Sequence, residues 1–496
     1  MASHFLIGSA LSGVQGSVAQ TGRQVQSSDI ASSAKATAPL LLFAFIFSIL
    51  LPIYFYLGET RLSLTRIFLL AVSIPLAVRL FTGAVGRLQP VDILMFVFSG
   101  WVTIVILYHE GIGRVPFAGI TAVEMVGGYL VGRTLIRNTT DYRNFLLYLL
   151  ISQLILAPFA ILEFFTNINL LQDFFRPLFY TYEKVASQTW RNGFARVMSG
   201  FEHPILFGLF CAITVAPFFY SKKSKPFLAL FLSALPFGMT YLSLSSAPLL
   251  AAGLCLILII WDYVSGGRWK ILILATAFVY IFLSVASNRG PIVILINNLT
   301  FSAHTGWTRI WTYTYGSAEV MRHPFLGMGL DFEWQRPPWL TGSVDNFWLV
   351  IAMRYGLPGI IILALALIMG MGEIIKAKGL SHDNKNIRTG HVIALISLYF
   401  ALATVHIWGE ISSFFMCFIG AGIWLGSAGG IVAAKPDHRA ASTTTRSKVD
   451  KSNPLFHPEN IVATEKRSGV LPASRFAPNH RRIVTTLPVP RASHRS

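Results

Sequence analysis

Long, nearly uncharged apolar blocks constrain what this chain can fold into more than any other feature of its sequence. Each block runs for roughly 17–25 residues, which at about 1.5 Å per helical residue crosses the hydrocarbon core of a bilayer. Only 12% of the 496 residues are charged and 54% are hydrophobic, whereas about a quarter of the residues in a soluble protein are charged. The pattern therefore predicts an all-α polytopic membrane protein.

The blocks predict about twelve transmembrane helices within a membrane domain at residues 38–434. Their approximate ranges are 38–57, 65–80, 90–108, 115–135, 143–165, 203–220, 226–243, 246–264, 269–287, 345–371, 391–408 and 411–431. Only a short Ser-rich bend separates 226–243 from 246–264. Two connections, 166–202 and 288–344, are much longer than the others, and long connections commonly carry function.

The distribution of basic residues predicts which helix ends face the cytoplasm, because Lys and Arg concentrate in cytoplasmic loops. If the N-terminus is cytoplasmic, the short outer loops hold Arg61, Arg66 and Arg114. The short inner loops then hold a larger set, namely Arg79, Arg87, Arg133, Arg137, Arg143, Lys222, Lys223, Lys225, Arg268, Lys270, Lys376, Lys378, Lys385 and Arg388. Both termini are therefore predicted to be cytoplasmic, and both long loops extracytoplasmic.

Both ends of the chain have the composition of disordered cytoplasmic tails. Residues 1–37 are rich in Ser, Ala, Gln and Gly and lack the hydrophobic region of a signal peptide. Residues 435–496 hold twelve Lys and Arg against four Asp and Glu, a large part of the net charge of +18. Attraction to anionic lipids explains this basic tail, a solvated tail without a partner explains it equally well, and we expect no nucleic-acid partner.

The first long loop ends in a group of charged and polar side chains. Arg191 and Arg196 are followed by Glu202 and His203, and Pro204 suits the first turn of the next helix. A helix N-terminus attracts anions. The group therefore predicts an anion site at one mouth of the helix bundle.

The second long loop repeats this composition. In chain order it and the start of the next span hold Arg309, Trp311, Arg322, His323, Asp345 and Asn346. Each arginine or tryptophan taken alone is also typical of interfacial anchoring, and a His-Pro dipeptide also marks a helix start. The tryptophans of this loop fit an aromatic belt or stacking on sugar rings, and the sequence leaves both open.

Taken together, these motifs resemble those of the O-antigen ligase and polysaccharide polymerase superfamily. The resemblance rests on Arg309-Ile-Trp, on Arg322-His323-Pro324-Phe-Leu-Gly-Met-Gly, and on Asp345-Asn346-Phe-Trp-Leu before Tyr355-Gly356-Leu357-Pro358-Gly359. The stretch from Arg196 through Gly208 looks like the rhizobial exopolysaccharide polymerases. Family ligases commonly carry His-Asn where this chain has Asp345-Asn346, so the aspartate favours a polymerase.

The resemblance implies a glycosyltransferase of the bacterial inner membrane. Its reaction would be polymerisation of polyprenyl-pyrophosphate-linked oligosaccharide repeat units into exopolysaccharide at the periplasmic face. One alternative is ligase-type transfer of a glycan to a lipid or protein acceptor. Another is a lipid-linked oligosaccharide flippase or transporter, which would show two related halves and charges at mid-membrane.

The resemblance also implies how the substrate is bound. Arg309 and Arg196, followed by Arg322 and Arg191, would bind the pyrophosphate, because a guanidinium group meets phosphate oxygens through two hydrogen bonds. Trp311 and Asn346 complete the predicted substrate-binding set. We expect no cofactor and no metal ion, since arginine takes the place of a divalent cation.

Asp345 is the first candidate for the base that deprotonates the acceptor hydroxyl. His323 and His203 compete for that role, and Glu202 would orient either imidazole. The expected partners are the polyprenyl-pyrophosphate-linked oligosaccharide, membrane lipids and, as an open alternative, other polysaccharide export and assembly proteins.

Overall fold

The computed structural model describes residues 38–58, 60–184, 189–286, 303–330 and 333–426. It confirms the predicted class, a helical polytopic membrane protein. The two predicted tails, 1–37 and 435–496, lie outside the described residues, as do the first residues of the predicted loop 288–344. The site lies in the unit formed by Met1–Pro436.

The helices follow the apolar blocks of the sequence. In chain order they are α1 Ala38–Leu50, α2 Leu64–Phe81, α3 Pro90–Glu110, α4 Val115–Leu135, α5 Thr139–Thr166, α6 Leu170–Phe175, α7 Pro204–Ala212, α8 Val215–Ser221, α9 Pro226–Leu242, α10 Ser246–Ser265, α11 Trp269–Ala286, α12 Ala303–Arg322, α13 Phe347–Lys376, α14 His382–Leu402 and α15 Gly409–Gly420. A 3₁₀ turn, Ile112–Arg114, precedes α4.

Nine helices among the described residues are long and apolar enough to cross a membrane. They are Leu64–Phe81, Pro90–Glu110, Ile112–Leu135, Thr139–Thr166, Pro204–Ser221, Ser246–Ser265, Trp269–Ala286, Phe347–Lys376 and Gly409–Gly426. Helices α1 and α9 are apolar but shorter, and α14 covers most of the predicted span 391–408. The count of twelve spans therefore stays a prediction.

One predicted span is shorter than expected, and both long loops contain secondary structure. The predicted span 38–57 ends as a helix at Leu50, because the chain turns at Gly58 into an antiparallel hairpin of β1 (Tyr54–Leu57) and β2 (Thr60–Ser63). The loop 166–202 contains α6 and a second hairpin, β3 (Trp190–Arg191) with β4 (Phe194–Ala195). The loop 288–344 contains the 20-residue helix α12.

Helices α4 and α15 approach closely because glycines line their contact. A Cβ atom on Gly128 or Gly132 would lie 2.2 Å or 2.0 Å from backbone oxygens of α15. Small residues allow this kind of backbone approach between membrane helices. Beside this contact, Arg133 of α4 forms a buried ion pair with Asp92 of α3 at 2.9 Å, so three neighbouring helices are fixed together.

Helix α13 is broken at Gly356, which adopts φ 71° and ψ −178°. The break leaves helix carbonyls without their usual donors, and Pro358 has no N–H to offer. The loop that follows α12 supplies the missing donors. The N–H of Met328 donates to the carbonyl of Met353 at 2.8 Å, and the N–H of Gly329 donates to that of Arg354 at 3.1 Å.

The other backbone groups at the break are also paired. The N–H of Leu357 donates to the carbonyl of Pro324 at 2.7 Å, and the indole N–H of Trp101 donates to the carbonyl of Tyr355 at 2.8 Å. The His-Pro-Phe-Leu-Gly-Met-Gly motif and the Tyr-Gly-Leu-Pro-Gly motif therefore meet in space. Together they form a structural joint that fixes the bend of α13.

We predict that Gly356→Ala destabilises the protein by about 1–3 kcal/mol, because only glycine adopts this backbone conformation without strain. The added Cβ would also lie 2.0 Å from the carbonyl oxygen of Phe325. Gly372→Ala, in the same helix, is the matched control, since nothing lies within 4 Å of its Cβ position. Thermal unfolding in detergent measures both variants, and equal midpoints would contradict this account of the joint.

Candidate functional site

Three arginines from separate parts of the sequence converge on the turn between α9 and α10. Arg196 Nη2 donates to Ser245 Oγ at 2.8 Å, and Arg309 Nη2 donates to Ser246 Oγ at 3.3 Å. Arg191 Nη1 donates to the carbonyl oxygen of Leu244 at 2.7 Å. The turn at residues 244–246 thus brings together cations contributed by both long loops. We call this group the arginine cluster, meaning Arg191, Arg196, Arg309 and the turn.

The guanidinium groups of this cluster retain unused donors. The Nε of Arg196, and the Nε and Nη1 of Arg309, are buried without a hydrogen-bond partner among the described residues. None of the three arginines forms an ion pair with a carboxylate in the part of the chain that the structure describes. Buried unpaired donors are costly, so an anion that accepts these hydrogen bonds would stabilise the arrangement.

The turn also begins a long helix. Ser245 is the N-cap of α10, but its hydroxyl donates to the carbonyl of Ser243 at 3.0 Å instead of capping the helix. The first N–H groups of α10 therefore lack a side-chain cap. A 20-residue helix with an uncapped N-terminus adds positive potential at the same place as the arginines.

Burial and mutual repulsion lower the pKa values of these arginines. Desolvation, followed by the charge of Arg191, lowers the pKa of Arg196 to about 10. Desolvation also lowers the pKa of Arg309, while the charge of Asp345 raises it and that of Arg191 lowers it. Both guanidinium groups stay charged at neutral pH. Desolvation is the larger cause of this lowering and repulsion from Arg191 the smaller one, and a bound anion would oppose both.

A buried carboxylate fixes the loop that carries Arg196. Glu163 of α5 accepts hydrogen bonds from the N–H groups of Met198 at 3.1 Å and Ser199 at 2.9 Å. It also forms an ion pair with Lys184 at 2.8 Å. Ser199 has φ 51°, a conformation that a non-glycine residue adopts only when its surroundings impose it. Glu163 is thus a structural residue that positions the loop next to the turn.

Asp345 and Asn346 have different roles in the structure. Asp345 is exposed, accepts a hydrogen bond from Ser343 Oγ at 3.1 Å, and lies close enough to Arg309 to affect its pKa. Asn346 is the N-cap of α13, and its Oδ1 accepts from the N–H of Leu349 at 3.0 Å. The carboxylate is thus accessible near the arginine cluster, whereas the amide is engaged in the helix cap.

His203 and Glu202 have structural partners. His203 is the N-cap of α7, and its Nδ1 accepts from the N–H of Ile205 at 3.0 Å. A ring nitrogen that accepts this hydrogen bond is not available to take a proton from substrate. Glu202 forms a two-bond ion pair with Arg61, at 3.0 and 2.9 Å.

Arg322 and His323 lie away from the arginine cluster. Arg322, the last residue of α12, contacts Glu319 of that helix at 2.7 Å, and His323, the residue after the helix, contacts Glu319 at 3.5 Å; both side chains are about half exposed. Thirteen residues separate Arg322 from Arg309 along α12, which corresponds to about 20 Å. Arg322 and Arg309 therefore do not lie at one site.

Trp311 also points away from Arg309, because residues two apart on a helix do not share a face. Its ring lies 5.8 Å from that of Trp339 in an edge-on arrangement. The two side chains are 37% and 64% exposed, so they form an open aromatic surface. This placement fits contact with a glycan better than contact with the pyrophosphate.

Ser245 and Ser246 are not among the site residues predicted from the sequence. Their signal was the Ser-Leu-Ser-Ser stretch at 243–246, which marks a bend between two apolar blocks. Leu244 has φ 45° in this bend. Nothing in a local pattern of this kind indicates that arginines 49 and 63 residues away bind it.

The fold and this arrangement define a multi-pass membrane protein with a candidate anion-binding site at helix ends. Residues 228–364 match the sequence model of a family described as O-antigen ligase. The matched segment includes the turn at 244–246, Arg309 and Asp345, whereas Arg191 and Arg196 precede it. The match supports the O-antigen ligase and polymerase superfamily and glycan transfer of that type. No curated protein matches the chain.

We predict that inorganic pyrophosphate stabilises the purified protein against thermal unfolding, and that Arg309→Ala weakens this binding by about 10- to 100-fold. That loss corresponds to one or two charge-assisted hydrogen bonds. Arg322→Ala is the matched control on the same helix, because Arg322 pairs with Glu319. A titration in which both variants lose binding equally would show that the arginine cluster is not a specific anion site.

Proposed function

We propose that the protein is a glycosyltransferase of the bacterial inner membrane that polymerises polyprenyl-pyrophosphate-linked oligosaccharide repeat units into exopolysaccharide. The observation that carries the proposal is the convergence of Arg191, Arg196 and Arg309 on the turn at 244–246. Lipid-linked oligosaccharides and membrane lipids are the partners that the family match supports. On the predicted topology the cluster faces the periplasm.

The chemistry of the reaction fits the charge of this site. The acceptor hydroxyl oxygen attacks the anomeric carbon of the donor, and the bond from that carbon to the pyrophosphate oxygen breaks. Negative charge grows on the departing polyprenyl pyrophosphate. Arg196 and Arg309 hold unused N–H groups that would donate hydrogen bonds to the charged pyrophosphate oxygens. Prearranged donors of this kind stabilise a transition state strongly.

Asp345 is the base in our proposal. Its carboxylate is exposed and its charge raises the pKa of Arg309, so we expect it to take the proton of an acceptor hydroxyl while the arginines hold the leaving group. His203 is engaged as a helix cap, and His323 lies about 20 Å along α12 from Arg309. Of these three candidates, Asp345 is the one whose charge acts on the pKa of Arg309.

Ligase-type transfer is the second candidate function, because the family match has the description of an O-antigen ligase. Asp345 at the position where ligases of the superfamily commonly carry histidine favours polymerisation. The glycans of a deletion strain discriminate the two. Single repeat units that remain on lipid indicate a polymerase, and long free chains without their acceptor indicate a ligase.

We predict that Arg309→Ala and Arg196→Ala each reduce polymer by at least about 100-fold when they replace the wild-type protein in that strain. Removal of one prearranged donor to a developing negative charge costs this much in other enzymes. The amount of protein in the membrane should be unchanged, and Arg322→Ala should retain polymer. Normal polymer from either cluster variant would remove the arginines from the site.

We predict that Asp345→Asn reduces the rate of transfer by about 10²–10⁴-fold, the range typical of a lost general base. Binding of pyrophosphate should change little, because the amide keeps the shape of the carboxylate. Ser343→Ala is the control, since Ser343 contacts Asp345 without a role in proton transfer. The base lies elsewhere if single-turnover assays of Asp345→Asn give the wild-type rate.

A further inference from the structure

Helix α10 carries a stripe of residues that begins at the arginine cluster, half-buried over its first half and exposed over its second half. Its members recur every three or four residues and so share one face of the helix: Ser246, Leu250, Gly253, Ile257, Ile260 and Val264. From the first member to the last, the stripe covers about 27 Å at 1.5 Å per residue. That length is close to the thickness of a hydrocarbon core, about 30 Å.

The stripe is not covered by the helix that follows it. Ile257, Ile260 and Val264 are 61%, 60% and 78% exposed. Helix α11 has no buried residue, and its contacts with the hydrophobic core include Trp269 and Leu272 in its first turn. The second half of this face of α10 is therefore open. A helix that is apolar all round, as α11 is, belongs in lipid or against a lipid-like partner.

The middle of the stripe contains a notch. A Cβ atom on Gly253 would have no heavy atom within 4 Å, so the backbone is directly accessible there. Gly253 lies seven residues, or about 10 Å, from Ser246 along the helix. An apolar chain that starts at the arginine cluster would pass this position early in its path.

The stripe starts at Ser246, where a ligand with a diphosphate head and a prenyl tail would change from one to the other. Ser246 accepts a hydrogen bond from Arg309 and is also the first member of the stripe. A diphosphate bound at the cluster leaves its attached prenyl chain at this residue. The prenyl chain has to remain in hydrocarbon, and the exposed face of α10 is the apolar surface that continues from the cluster.

We propose that the prenyl chain of the lipid-linked donor packs along the α10 stripe, with its diphosphate at the arginine cluster. This proposal rests on the function proposed above and adds the binding site of the lipid tail. An ordinary membrane lipid could cover the stripe, but it would not depend on the arginines. Binding at the stripe that depends on the arginines therefore distinguishes a prenyl diphosphate from an ordinary membrane lipid.

The direct test uses a polyprenyl diphosphate without sugar that carries a photoreactive group in its prenyl chain. After irradiation of the full-length protein in lipid nanodiscs, mass spectrometry maps the labelled peptide. We expect label within residues 246–265, and we expect Arg309→Ala to reduce it about tenfold while Arg322→Ala leaves it unchanged. The probe cannot be transferred, so the result does not depend on catalysis.

A pair of substitutions tests the same site without the probe's photochemistry. Gly253→Trp places a bulky ring on the stripe and should lower binding of the unlabelled lipid about tenfold. Gly100→Trp, on the exposed face of α3, is the control, because its Cβ position is equally open. Binding of inorganic pyrophosphate should be unchanged in both variants, which separates the tail site from the head site.

The outcomes distinguish the two proposals. Label that depends on Arg309 but maps outside α10 overturns the tail site and leaves the proposed function standing. Label that is independent of both Arg196 and Arg309 overturns the diphosphate site and the tail site together. Disulfide formation between two copies of Ile257→Cys at this face would show that a second copy covers the stripe, and it would also overturn the proposal.

Discussion

The convergence of three guanidinium groups on one short turn is the interaction on which the rest of this account depends. Like charges at close range repel each other, and the repulsion grows as water is excluded. Here Arg196 and Arg309 donate to serine hydroxyls and Arg191 to a carbonyl oxygen, which are neutral acceptors. Such contacts position the cations but do not neutralise them. The fold therefore maintains a site of positive charge that is prepared for an anion.

The rest of the bundle holds this site in place. Glu163 fixes the loop before α7 through two backbone N–H groups. The loop after α12 is fixed near its start by the joint at Gly356, where its backbone pairs with the broken helix α13. Sequence motifs that resemble one family thus divide between two roles. Arg309 belongs to the charged site, whereas the glycines and prolines of the other motifs shape the backbone.

Hydropathy predicted much of the fold. The span predicted at 115–135 coincides with α4, Val115–Leu135, and that at 90–108 lies within α3, Pro90–Glu110. The prediction of one helical span over 38–57 was wrong at its end. The last four residues, Tyr54–Leu57, are apolar in composition but pair as a strand. Hydropathy measures transfer into lipid and does not distinguish a terminal helical turn from a hairpin at the surface.

The sequence predicted less of the candidate site than of the fold. Charge type identified Arg191, Arg196 and Arg309, since arginines in the long loops suit a phosphate ligand. Their convergence on the turn at residues 244–246 arises from tertiary packing, which no local pattern encodes. The length of α12 separates Arg322 and His323 from Arg309, because thirteen helical residues span about 20 Å. Helical periodicity could have shown that Trp311 and Arg309 face different ways, once α12 was recognised as one long helix.

An experimental density map of the protein with bound polyprenyl diphosphate tests the central claim most directly. Our account predicts that both phosphate groups lie at the turn of residues 244–246, with guanidinium nitrogens of Arg196 and Arg309 within about 3 Å of their oxygens. A diphosphate bound elsewhere, with the arginine cluster unchanged and without an anion, would contradict it.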